Sequence, residues 1–103
     1  WVNVLDGKGG HSAHIHPHSV VSGTLYVALP KGARGLKLED PRLAMMMAAP
    51  PRRDDAPEAL QSFVEIVPEP GTVLLWESWL RHEVPPGSGK DQRISISFNY
   101  RWG

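Results

Sequence analysis

The sequence predicts an all-β domain, folded as an antiparallel sandwich or barrel. Short runs rich in β-branched and aromatic residues recur along the chain, and several alternate between apolar and polar positions. Clusters of Pro and Gly separate these runs, whereas no segment has a long helical period and no stretch repeats. Short strands joined by such turns are typical of a small antiparallel fold.

Eight strands are predicted, and turns or prolines end most of them. The first is followed by the turn DGKGG, and the fourth, LKLED, ends at Pro41. The turns PKGARG, PEPG and PPGSGKDQ separate other strands, and ESW makes a corner. The predicted strands cover residues 1–5, 12–16, 20–29, 36–40, 62–67, 72–76, 80–84 and 93–102.

The residues from about 43 to 62 do not fit the strand pattern. They include three consecutive methionines, a Pro-Pro pair and mixed charges. Loops of this length are usually functional lids or disordered segments, so we expect a mobile insertion with a helical turn near Pro57–Gln61. The chain as a whole, residues 1–103, is predicted to form one domain around one core.

Composition excludes several classes of function. Lys plus Arg and Asp plus Glu both number 11, so the formal net charge is zero and no nucleic-acid or membrane partner is expected. The chain has no Cys, which excludes disulfides, thiolate metal sites and cysteine nucleophiles. No signal peptide and no apolar run of transmembrane length is visible, which predicts a cytoplasmic protein.

Hydrophobic residues make up 41% of the chain, which is enough for a globular core. The chain begins at Trp1, without a Met and already inside a patterned segment. We therefore expect it to be part of a longer protein, with N-terminal elements missing. Exposed sheet edges in such a fold would also allow a homodimer.

Four of the five histidines lie in the stretch HSAHIHPHS. His14 and His16 are two residues apart, so on a strand they share a face and can converge on one metal ion at roughly 2.0–2.2 Å. Pro17 keeps His16 extended. His11 has the opposite parity and His18 lies beyond the proline, so both are expected around the ligands or at the surface. The alternative is a solvent-exposed histidine-rich loop.

The fifth histidine, His82, strengthens the metal hypothesis. If PGSG closes a hairpin, His82 lies across from Arg93 and shares its face. Arginine beside a metal-binding histidine indicates a ligand with a carboxylate, because the guanidinium is a permanently charged bidentate fork. In a simple sheet the polar row of the last strand would face solvent, whereas in a barrel it would line a pocket. This row consists of Arg93, Ser95, Ser97, Asn99 and Arg101, and the opposite row of Ile94, Ile96, Phe98, Tyr100 and Trp102.

The motifs HIHP, SGTLYV, EDPR, PEPGTVLLWESWLRHEVPP and RISISFNY occur in this order. Together they resemble the Fe(II)/2-oxoglutarate-dependent oxygenase superfamily, and within it the bacterial and phage group of putative 2OG-Fe(II) oxygenases. The resemblance runs from Trp1 to Trp102 apart from the insertion. Its specific features are an HxH pair, a distal His and an Arg-x-Ser that begins eleven residues after that His. It implies a double-stranded β-helix, or jelly roll, with a metal in its mouth.

The resemblance also implies an activity and a set of site residues. The chain would be an Fe(II)- and 2-oxoglutarate-dependent dioxygenase that hydroxylates a small molecule or a peptide. Arg93 and Ser95 would bind the C5 carboxylate of 2-oxoglutarate, and Tyr26 would add a hydroxyl, with buried packing as the alternative for Tyr26. No catalytic side chain beyond the metal site is implied. Fe(II) would be held by His14, His16 and His82.

The chain departs from the superfamily pattern in one ligand. The usual facial triad has two histidines and one carboxylate, but here the last residue of HxH is His16, so the site lacks one negative charge. Glu83, beside His82, should point away from the metal. An acid could serve in place of His16, and the alternative for all these acids is solvated surface charge. The candidate acids are Glu39, Asp40 and Glu77.

Several other residues could belong to the substrate side of the site. Trp76 and Trp79 could wall the pocket or pack in the core. Arg42 could reach the pocket from a strand end. The run Met45–Met47 could form a soft cover over substrate or a flexible surface loop.

Two other functions stay open. A cupin-type jelly roll would bind metal through histidines without using 2-oxoglutarate, and it would have no need for the pair Arg93 and Ser95 after its last histidine. A catalytically inactive binding domain would use the metal only to stabilise the barrel.

Overall fold

A computed structural model describes all residues from Trp1 to Gly103 and contains eight strands. The strands are β1 (Val2–Leu5), β2 (His11–His14), β3 (Val21–Ala28), β4 (Leu36–Glu39), β5 (Phe63–Ile66), β6 (Val73–Glu77), β7 (His82–Val84) and β8 (Arg93–Tyr100). They form two four-stranded sheets, in the orders β1-β8-β3-β6 and β2-β7-β4-β5, and all pairs are antiparallel. Because the chain passes repeatedly between two such sheets, the fold is a jelly roll, and the predicted double-stranded β-helix is confirmed.

All eight predicted strands are present, and most are one or two residues shorter than predicted. The second ends at His14, because the chain turns at Pro17 and His18. His18 has a φ of 67°, in the left-handed region that a non-glycine residue adopts mainly in turns. His16 therefore lies beyond the strand, and its direction is set by the turn rather than by strand parity.

The predicted hairpin that pairs His82 with Arg93 is wrong. His82 pairs with His14 and Leu38 in one sheet, whereas Arg93 pairs with Leu5 in the other. The segment 85–92, which connects β7 to β8, is long enough to cross between the two sheets, and it packs against other loops. A Cβ on Gly87 would lie only 2.6 Å from the Gly7 carbonyl oxygen, so glycine is needed for this close passage.

The first sheet turns its polar residues inward and its apolar residues outward. Inside, Ser22 donates a hydrogen bond to the Asn99 side-chain oxygen (2.6 Å) and also bonds the Ser78 hydroxyl (2.8 Å). Outside, Leu75 is 62% exposed and Tyr100 is 63% exposed. The polar row of β8 is therefore the one that faces the interior, which makes the interior a polar cavity rather than a sealed apolar core. Other residues exposed on the outer face are Val2, Val4, Val27, Val73 and Ile96.

The insertion forms two short 3₁₀ segments, Leu43–Ala48 and Glu58–Leu60. The second confirms the predicted turn near Pro57–Gln61, whereas the first was not predicted. Neither segment buries a side chain, and Met45 and Met47 are exposed away from the interior cavity, so the run of methionines does not cover that cavity. None of the helices has the length and apolar character needed to cross a membrane.

Candidate metal centre

Three histidines from two neighbouring strands and a turn converge at one point of the interior. His14, at the end of β2, lies directly across from His82, at the start of β7. His16 joins them from the turn after β2, where its backbone N–H donates to the Ser78 carbonyl (3.1 Å). The potential ligand atoms of the three side chains all lie within 4.8 Å of one another. The structure thus brings together all three predicted metal ligands.

The ring geometry leaves room for one ion between the three imidazoles. The ring centroids are 4.4 Å apart for His14 and His82 and 5.0 Å apart for His16 and His82. The Nε2 atoms of His16 and His82 are 3.2 Å apart. Two ligand atoms that each lie about 2.1 Å from one metal ion, roughly at right angles, are about 3 Å apart. This pair therefore already has the spacing of two ligands on one metal.

Backbone carbonyls fix the tautomers of two of these rings. Nδ1 of His14 lies 2.6 Å from the Ser12 carbonyl oxygen, and Nδ1 of His82 lies 2.8 Å from the Leu80 carbonyl oxygen. A carbonyl only accepts, so each Nδ1 carries the proton and each Nε2 keeps a free lone pair. Orientation of a ligating imidazole by a hydrogen bond at its other nitrogen is a regular feature of metal sites.

Burial keeps the imidazoles of His16 and His82 neutral. Burial is the main cause that lowers the pKa of His82 to about 4; the Leu80 carbonyl opposes the shift, and His14 and His16 add to it. The pKa of His16 is also lowered, first by burial and then by His14. His82 is only 3% exposed. At neutral pH both rings are therefore neutral, with one ring nitrogen free to bind metal.

The acids considered as replacements for His16 lie outside the interior. Glu39 pairs with Arg81 (3.5 Å), and Asp40 pairs with Arg42 (2.9 Å). Glu77 is exposed at the end of β6. None of these acids lines the interior cavity, and neither does Arg42. The cluster of potential ligands therefore consists of histidines alone.

Glu83 points away from the centre, as predicted. Its carboxylate pairs with the Lys37 ammonium (3.0 Å) on the neighbouring strand β4, and it does not line the interior cavity. His82, the adjacent residue, does line that cavity. The strand alternation of β7 thus separates a surface ion pair from a buried histidine.

The cavity beside the histidines has a volume of about 130 Å³ and contains one permanent cation. Arg93 is only 5% exposed, and its guanidinium carbon lies 5.3 Å from the centroid of the Tyr26 ring. Its Nε is buried without a hydrogen-bond partner. Burial lowers the pKa of Arg93 and Tyr26 partly offsets this, yet a guanidinium remains charged at neutral pH.

The surroundings of Arg93 suit an anion. Ser95 and Tyr26 are almost fully buried and both line the cavity, so the structure places them with Arg93 as the sequence predicts. Burial raises the pKa of Tyr26, and Arg93 opposes that shift, so the phenol keeps its proton as a donor. No Asp or Glu lines the cavity. A buried unpaired arginine N–H together with hydroxyl donors and no acid fits a carboxylate.

Sequence reasoning placed some residues correctly and missed others. His18 is exposed in its turn and Trp79 is exposed, whereas His11 and Trp76 line the cavity. Ser97 and Asn99 line the cavity, as expected for the polar row of β8 in a barrel. The polar residues that were missed lie on the inward faces of β1 and β3, and alternation with Tyr26 is the signal that could have found those on β3. They are Asn3, Ser22 and Thr24.

Comparisons with known proteins agree with this geometry. A family model described as putative 2OG-Fe(II) oxygenase matches residues 1–99. Among solved structures, the chain is similar to an oxidoreductase of the 2OG-Fe(II) oxygenase family from Burkholderia pseudomallei, with a TM-score of 0.70 and 15% sequence identity. The similarity covers 97% of this chain and 41% of that one, so the chain spans less than half the length of this neighbour. None of the curated proteins compared with the chain matches it.

Proposed function

The chain belongs to the family of putative 2OG-Fe(II) oxygenases, and we propose that it is an Fe(II)- and 2-oxoglutarate-dependent dioxygenase that hydroxylates its substrate. One observation carries the proposal. A single cavity is lined both by three converging histidines and by a buried arginine whose Nε–H has no partner. A metal site alone would not require that arginine, whereas a co-substrate with a second carboxylate would.

Fe(II) would be held by His14, His16 and His82. Imidazole ligands suit iron among other metals, and the fixed tautomers of His14 and His82 present lone pairs to it. When bound, the iron supplies the O₂ chemistry in which 2-oxoglutarate, O₂ and a substrate C–H bond become succinate, CO₂ and a C–OH group. Because three neutral ligands leave the 2+ charge uncompensated, the site favours an anionic co-substrate.

2-Oxoglutarate would be held at its C5 end by Arg93, with hydroxyls from Ser95 and Tyr26. All three side chains are at least 95% buried, so the charge pair forms away from water, where it is stronger. Ser95 on β8 and Tyr26 on β3 are direct partners in the sheet. Their side chains therefore lie side by side and would orient the co-substrate. The role of the chain is to bind, orient and exclude water.

The proposal also covers the substrate class, the partners and the cellular location. We propose a small-molecule or peptide substrate and no nucleic-acid or membrane partner, since the formal net charge is zero. Residues 1–103 would be one jelly-roll oxygenase core, active in the cytoplasm and able to form a homodimer.

The proposal predicts that the protein converts 2-oxoglutarate into succinate when both Fe(II) and O₂ are present. Succinate is measured by mass spectrometry in air with ascorbate, without added substrate, so that the uncoupled reaction is followed. We expect at least about tenfold more succinate from Fe(II)-loaded protein than from Zn(II)-loaded protein, because zinc has no redox chemistry. Fe(II)-loaded protein under argon is the second control. Equal succinate with both metals would contradict the proposal.

A further inference from the structure

The indole of Trp76 has a feature that packing does not explain. Trp76 lies on β6 and lines the same cavity as the three histidines. Its ring meets His82 edge-on, with centroids 4.9 Å apart and an interplanar angle of 64°. Its Nε1–H is buried and has no hydrogen-bond partner. Phenylalanine could contribute similar aromatic packing without leaving a donor unpaired, and a buried unpaired donor costs folding free energy.

The hydroxyls on the strand beside Trp76 are already engaged in hydrogen bonds. The partner of Trp76 across the sheet is Ser22, whose hydroxyl is bonded to Ser78 and Asn99. Farther along the strands, Thr24 bonds the Ser97 hydroxyl (3.1 Å). The acceptor for the indole N–H is therefore not provided by this hydroxyl network.

A second unpaired hydrogen-bond donor in the same cavity indicates the chemical nature of the acceptor. In the whole chain, only two buried side-chain nitrogen or oxygen atoms lack a hydrogen-bond partner. They are Nε1 of Trp76 and Nε of Arg93. Both atoms are donors, and the two residues line this cavity from different strands, β6 and β8. Two unpaired donors in one cavity without an acid match a ligand that carries acceptor oxygens at both ends. Trp76 lies at the histidine end.

We propose that Trp76 is a positioning residue whose Nε1–H donates a hydrogen bond to an oxygen at the oxo-acid end of 2-oxoglutarate, beside the metal site. This inference rests on the proposed function. Arg93 would bind the far carboxylate and Trp76 an oxygen at the near end, so the two donors together would fix the position and the orientation of the co-substrate. Trp76 acts by orienting the co-substrate rather than by reacting with it.

The indole N–H signals of the protein test this directly by nuclear magnetic resonance. The chain has four tryptophans, Trp1, Trp76, Trp79 and Trp102. Zn(II)-loaded protein labelled with ¹⁵N is titrated with 2-oxoglutarate, which it binds without turnover. We expect the Trp76 indole proton, assigned by its loss in Trp76→Phe, to move downfield as a hydrogen bond to an anion forms. The signals of the exposed Trp79 and Trp102 should stay in place.

Affinity provides a second readout. Trp76→Phe should weaken 2-oxoglutarate binding to the Zn(II)-loaded protein by about tenfold, as expected for loss of a hydrogen bond to a charged group. Its affinity for Zn(II) should stay unchanged, and Trp79→Phe, the matched control, should leave both affinities unchanged. Both readouts use binding, so neither depends on finding the substrate.

The outcomes separate this inference from the proposed function. Saturable 2-oxoglutarate binding with an unmoved Trp76 signal, or with equal affinity in Trp76→Phe, would overturn the role of Trp76 and leave the oxygenase proposal standing. Equal losses of Zn(II) and 2-oxoglutarate affinity in Trp76→Phe would make Trp76 a packing residue and also overturn its role. No 2-oxoglutarate binding by the Zn(II)-loaded protein would overturn both proposals.

Discussion

Replacing His82 with alanine lowers the affinity for Fe(II) or Zn(II) by more than about 100-fold, since even partners of metal ligands contribute 10–100-fold. His82 is the middle member of the cluster. Its ring lies next to both His14 and His16, and its buried Nε2 is held toward them by the bond from Nδ1 to Leu80. Metal affinity is measured by competition with a chromophoric chelator.

Two further variants distinguish the loss of a metal ligand from other effects of the substitution. His18→Ala is the matched control, because His18 belongs to the same histidine-rich stretch but is exposed and does not line the cavity. His16→Ala removes a ligand that lies outside any strand, so its loss of metal affinity is less open to explanation by unfolding. Thermal unfolding of the metal-free proteins reports on folding. Metal affinity that is unaltered in both His82→Ala and His16→Ala would rule out the histidine centre.

Replacing Arg93 with methionine strongly weakens 2-oxoglutarate binding while the metal site survives. We expect the dissociation constant of 2-oxoglutarate for Zn(II)-loaded protein to rise by roughly 30-fold or more, because a fully buried charge pair is broken. The affinity for Zn(II) should change by less than about threefold, since Arg93 lies on the sheet opposite to that of His14 and His82. Isothermal titration calorimetry measures both constants.

The matched control for Arg93→Met is Arg101→Met. Arg101 continues the same alternating row of the last strand but is exposed beyond its end and does not line the cavity. Its replacement should leave 2-oxoglutarate binding unchanged. If Arg93→Met lost zinc and 2-oxoglutarate to the same extent, Arg93 would be a structural residue, and the cavity would no longer support a co-substrate with two carboxylates.

Local patterns were sufficient to predict the strands and the pair His14 and His16, whereas the role of His82 was predicted from the family resemblance. The alternation of β8 and the turns around each strand identified the elements, because side-chain period and turn chemistry are properties of neighbouring residues. HxH predicted a shared face for His14 and His16, and they do converge. They do so because the turn at Pro17 redirects His16, and not because both lie on one strand.

Long-range pairing could not be predicted in the same way. His82 and Arg93 were expected to be neighbours across a hairpin, yet each lies in a different sheet and they share only the cavity between the sheets. A hairpin and a crossover can have connections of similar length, so the sequence between them does not decide which forms.

The direction of the polar row also needed the structure. Ordinary burial preferences would put Ile96 and Leu75 inside and Ser95 outside, whereas Ser95 is buried and the two apolar residues are exposed. The polar side chains that face inward form the cavity. The buried, unpaired N–H of Trp76 follows from this three-dimensional arrangement and cannot be predicted from the sequence.

An anaerobic titration with Fe(II) and 2-oxoglutarate distinguishes an oxygenase site from a metal site that does not use 2-oxoglutarate. When 2-oxoglutarate chelates iron at a protein site, a weak charge-transfer band in the visible range is expected. We expect this band only when both components are present, and we expect it to vanish in His82→Ala and Arg93→Met. Stoichiometric iron binding without the band would contradict the proposed function, because the histidines would then form a metal site that does not use 2-oxoglutarate.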